Sequence, residues 1–104
     1  MKWWPWFVRC DELCAQVDRE AASLFDRGEL VAALELIDRT DARCRCSRYT
    51  SGDAPAQYSI AEACLQQLLR EQKTAELRRI LARARGPIIR SLLRVSPEYR
   101  ALLE

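Results

Sequence analysis

The chain contains no histidine, only three glycines, and only two lysines among its 17 cationic residues. Without histidine there is no Ser-His-Asp triad, no Cys-His nucleophile pair and no imidazole metal site. The glycines Gly28, Gly52 and Gly86 stand singly, so no glycine-rich loop exists to cradle a phosphate. Strand-type alternation is absent, and no apolar run approaches the roughly 18 residues that cross a bilayer. The N-terminus has Lys2 and a short aromatic patch before Arg9, Asp11 and Glu12, too little apolar length for a secretory signal. These absences lead us to expect a cytoplasmic chain without a transmembrane segment.

What is present is helical spacing. Hydrophobic residues make up 49% and charged residues 31% of 104 positions, ordinary globular usage for one domain spanning the chain. Phe7, Cys10, Cys14, Val17, Ala21 and Leu24 step by three and four along one stripe of a first helix expected from Pro5 to Asp26. Gly28 breaks it, and Leu30, Ala33, Leu34 and Ile37 form the face of a second, with Cys44 on its continuation. The polar stretch "SRYTSGDAPAQ" then predicts a loop over about residues 46–57.

Ser59 with Glu62 three positions on reads as a capping box. It opens a central third helix with Ile60, Ala61, Cys64, Leu65, Leu68 and Leu69 inward. A fourth helix begins at about Thr74, with Leu77, Ile80, Leu81 and Ala84 inward. Gly86-Pro87 interrupts it, but the apolar phase resumes at Ile88, Ile89, Leu92 and Val95, which predicts a kinked or immediately restarted helix. Ser96, Pro97 and Glu98 open a short last helix through Tyr99, Leu102 and Leu103. The expected fold is all-α, a compact bundle of four to five helices with one longer polar loop.

Residues 17–37, "VDREAASLFDRGELVAALELI", resemble one tetratricopeptide-repeat hairpin. Ala21 and Leu24 match its first helix, Gly28 its turn, and Ala33 with Ile37 its second helix. Val17 stands where the repeat prefers tryptophan, Glu20 replaces a leucine, Arg45 replaces the closing proline, and no second copy follows in register. The resemblance covers about a fifth of the chain and implies a scaffold that binds another protein through a groove, without catalysis.

Five cysteines raise a second class of function. Cys10 and Cys14 on one helical face, with Cys44 and Cys46 at a loop entry, could assemble four thiolates for zinc or copper(I). The spacing C-x3-C-x29-C-x-C matches no standard zinc pattern, and Cys10, Cys14 and Cys64 share faces with core residues, where free cysteine packs as a small hydrophobe. No cofactor is therefore the first expectation, with the thiolate site and redox sensing as the alternative. Cys46 is the candidate exposed thiol.

Charge divides unevenly: residues 1–57 carry eight Lys/Arg against ten Asp/Glu, and residues 58–104 nine against five. If the fourth helix continues in phase, Arg79, Arg83, Arg90 and Arg94 form a stripe able to track a phosphate backbone. The small net charge of +2 ranks nucleic acid below a protein partner. Acid pairs such as Asp38 with Asp41 read as solvent-facing helix charges, and no catalytic residues are assigned. Trp3, Trp4 and Trp6, with Tyr49 in the loop, are the candidate partner-binding residues, since tryptophan dominates interface energetics. The expectation is a small non-enzymatic interaction or adaptor module, with a homo-oligomer as the companion reading.

Overall fold

The computed structural model describes residues 10–43 and 55–104 of the chain. Among the described residues there are six helices and no strand, so the fold is an all-α bundle. They are α1 (Cys10–Asp26), α2 (Leu30–Arg43), α3 (Pro55–Arg70), α4 (Thr74–Arg83), α5 (Pro87–Val95) and α6 (Pro97–Ala101). None of them is long and apolar enough to cross a membrane.

The apolar stripes read from the sequence form one contiguous core. Ala21 of α1, Leu34 and Ile37 of α2, Leu65 and Leu68 of α3, Leu77 of α4, Ile89 and Leu92 of α5 and Tyr99 of α6 all join it. Each fully enclosed leucine or isoleucine contributes roughly 1.5–3 kcal/mol relative to an exposed one. The central helix is α3, which packs against α1, α2, α4 and α5. Its buried set of Ala61, Cys64, Leu65 and Leu68 spans more than one neighbour's width, as the broad apolar face required.

Two hairpin turns share one hydrogen-bond pattern. After α1 the Glu29 N–H donates to the Leu24 carbonyl at 2.8 Å and the Gly28 N–H to that of Phe25 at 3.0 Å. After α3 the Lys73 N–H donates to the Leu68 carbonyl at 3.0 Å and the Gln72 N–H to that of Leu69 at 3.1 Å. Both are Schellman closures, which place one residue in the left-handed region: Gly28 at φ 79° in the first, Gln72 at φ 59° in the second.

Several boundaries differ from expectation. Helix α3 opens at Pro55 rather than Ser59, so residues 55–57 belong to the helix and not the loop, and Gln57 is fully buried. Ser59 and Glu62 therefore lie inside the helix and form no capping box. Pro55 needs no partner for an amide hydrogen at a first helical position, and it starts the helix itself. Of the two expected forms of the Gly86-Pro87 interruption, the structure has the restart: Ala84 leaves the helix with ψ 130° and Gly86 stays extended with ψ 154° before Pro87 begins α5. Val95, expected inward, is 66% exposed, and Leu103 is exposed as well. Val95 is the last residue of α5, where the helix no longer has core beneath it.

Candidate functional site

The extended link between α4 and α5 creates a local demand. A helix starts with backbone N–H groups that have no partner within the helix, and at α5 the N-cap position is Gly86, which has no side chain to supply an acceptor. Pro87 carries no N–H, and the Arg90 N–H returns to the Gly86 carbonyl at 3.3 Å. Three donors of the link and the helix start are met from α2. The Ile88 N–H donates to Asp41 Oδ2 at 2.7 Å. The Gly86 N–H donates to Asp38 Oδ1 at 2.8 Å, and the Arg85 N–H is shared between both Asp38 oxygens at 3.2 and 3.1 Å.

Asp38 and Asp41, one turn apart on α2, thus clamp residues 85–88. This overturns their reading as solvent-facing charges: Asp41 is 2% exposed and Asp38 half-buried. Two acids at i and i+3 look alike in sequence whether they face water or a distant backbone. The detectable signal was at the other end, a helix beginning Gly-Pro with no capping residue of its own.

The clamp is tight. A Cβ added at the buried Gly86 would lie 2.6 Å from Asp41 Oδ2 and 2.9 Å from Asp41 Cβ, so glycine is needed there for space. Asp41 Oδ1 is buried with no hydrogen-bond partner. Burial pushes the Asp41 carboxyl from its ordinary 3.8 up to about 6; the Ile88 N–H opposes this and the charge of Asp38 adds to it. Beside the clamp runs an open groove of about 860 Å³, with Glu35, Asp38 and Arg39 of α2 on one bank and residues 82–85 on the other.

A smaller cleft of about 280 Å³ lies where α3 meets α5 and α6, lined by Glu62, Gln66, Leu69, Arg70, Leu92, Val95, Ser96, Glu98 and Tyr99. Burial raises the Tyr99 hydroxyl above its usual range, and the nearby charges of Glu62 and Glu98 raise it further. Arginines fix the backbone around this end: Arg78 Nε donates to the Leu102 carbonyl at 2.8 Å, and Arg100 Nη1 donates to the Arg94 carbonyl.

Of the residues singled out from sequence, Trp3, Trp4, Trp6, Tyr49, Cys44 and Cys46 lie outside the described residues. Cys10 and Cys14 sit one turn apart on the backbone of α1, and their side chains are outside the described set. Cys64 is fully buried and free, its thiol pushed up to about 11 by burial, which makes it an unreactive packing residue. Among the described residues no group of three or more metal-ligating side chains converges. Arg79, Arg83, Arg90 and Arg94 are all exposed, but they fall on two helices separated by extended residues rather than along one continuous helical stripe.

No protein-family model matches the chain, and no curated protein or solved structure matches it either.

Proposed function

We propose that this chain is a small non-enzymatic interaction module that binds another protein in the cytoplasm, with a second copy of itself as the first partner to test. The observation that supports this reading is Val95. A valine 66% exposed at the end of a helix whose Ile88, Ile89 and Leu92 are buried extends the apolar surface outward beside the cleft floored by Leu69, Leu92 and Tyr99. Exposed apolar surface rimmed by charge is the usual character of a protein contact. The rim here is Glu62 and Glu98 with Arg70, and Arg94 stands exposed next to Val95, so the same surface offers charges of both signs to a two-fold partner. The tryptophan-rich N-terminus and the resemblance of residues 17–37 to a tetratricopeptide hairpin belong to the same proposal. The rival reading, an arginine-mediated nucleic-acid binder, has in its favour the exposure of Arg79, Arg83, Arg90 and Arg94.

Sedimentation velocity of the intact chain across a hundredfold range of concentration tests the module. A concentration-dependent rise in mass that Val95→Asp abolishes while the variant keeps its helical circular dichroism supports it. A chain that stays monomeric, retains no protein partner on purification, and binds duplex or single-stranded nucleic acid with steep salt dependence overturns it in favour of the rival.

A further inference from the structure

The clamp raises a question that its role in ending one helix and starting the next does not answer. Capping α5 requires acceptors, which serine, threonine or asparagine side chains supply without charge. Here the acceptors are two carboxyl groups one turn apart, and among the described residues no lysine or arginine ion-pairs with either. One of them, Asp41, is enclosed, uses Oδ2 on the Ile88 amide and leaves Oδ1 buried without a partner. A charged oxygen in that position loses water and gains nothing, whereas a protonated carboxyl still accepts from Ile88 through its carbonyl oxygen and carries no net charge into the core.

We infer that the clamp is a proton-operated latch: uptake of one solvent proton by Asp41 removes a buried charge and stabilises the packing of α2 against the start of α5, and its loss destabilises that packing. The link held by the seam, residues 84–86, adjoins one bank of the groove facing Glu35, Asp38 and Arg39, so the latch sets how firmly that bank is fixed. Charges elsewhere do not override it. Among the charged groups of the described residues, Asp38 on the same helix is the one that shifts Asp41, and it pushes the carboxyl further in the same direction as burial. The sign follows from burial. The folded value near 6 lies above the ordinary 3.8, so the stabilisation is complete below the unfolded value and is lost as pH rises through about 6.

The composition makes this readable. Histidine is the usual group that titrates between pH 5 and 8, and the chain has none. Two measurements on the full chain test the latch. In carboxyl 13C NMR, Asp41 is expected to titrate near 6, with the Ile88 amide shift following the same midpoint; a midpoint below 5 overturns the proposal, and this arm needs no variant. In urea denaturation, the unfolding constant is expected to be about tenfold smaller at pH 5 than at pH 7.5, which is ~1.4 kcal/mol. Asp41→Asn, neutral at every pH, is expected to lose that dependence while Asp38→Asn keeps it. A wild-type chain with flat stability over this range, or an Asp41→Asn chain as pH-dependent as wild type, overturns it. The outcome is independent of whether the chain binds a partner through Val95.

Discussion

The turn from α1 to α2 and the break from α4 to α5 do the same job by opposite means. Each ends one helix and begins another within three residues. The first is closed by its own backbone, with Gly28 and Glu29 bonding back to carbonyls three and five positions earlier. The second is closed from outside, by two side chains 47 and 48 positions away. The α3–α4 turn repeats the first arrangement with glutamine in the glycine's place. A locally closed turn depends on one residue's backbone freedom, whereas a remotely closed one depends on packing, space and charge at both ends.

Substitutions sharpen the contrast, and the largest effect belongs to the remote junction. Gly86→Ala places a methyl group against the buried Asp41 side chain, and we expect a loss toward the upper end of the ~1–3 kcal/mol range for overpacking a filled site, read in urea denaturation. The loss should shrink when Asp41→Ala is added, because the atoms in conflict are then gone. Equal losses with and without Asp41→Ala would show that the junction is not closed from α2.

At the local turn, Gly28→Ala meets nothing within 4 Å, so only its φ of 79° opposes the change. We expect a loss of about 1 kcal/mol, the left-handed penalty for one residue, with no dependence on pH between 5 and 7.5. The smallest effect is a gain. Gln72 already bears that penalty at φ 59°, so Gln72→Gly is expected to raise stability by roughly 0.5 kcal/mol, the relief being partly offset by glycine's greater unfolded-state freedom. A loss on Gln72→Gly would mean that the second turn owes more to its side chain than to its backbone.

The same contrast explains what was legible beforehand. The stripes of α1, α2 and α3 and the stop at Gly28 are local patterns, and the core follows them through Val17, Ala21, Leu34, Ile37, Leu65 and Leu68. Where the reading slipped, a local pattern had two meanings. Pro55 stands in a stretch of loop composition but starts a helix; Ser59 with Glu62 has capping spacing but sits four residues into that helix. Val95 keeps the inward phase of α5 yet falls where the core has run out. Asp38 and Asp41 were the least legible, since the residues they serve lie half the chain away.

The span of the clamp also bears on the order in which the molecule assembles. The turns at 27–29 and 71–73 bring together residues that are already neighbours along the chain, while joining 38–41 to 85–88 closes a loop of nearly fifty residues and carries the larger entropy penalty. Loop closure therefore favours an order in which the α1–α2 and α3–α4 hairpins form before α5 seats against α2, and folding kinetics of variants at Ala33 and Ile89 would test that order. In that order the junction formed last is the one that carries the buried carboxyl, and acidity would act on the closing step of assembly.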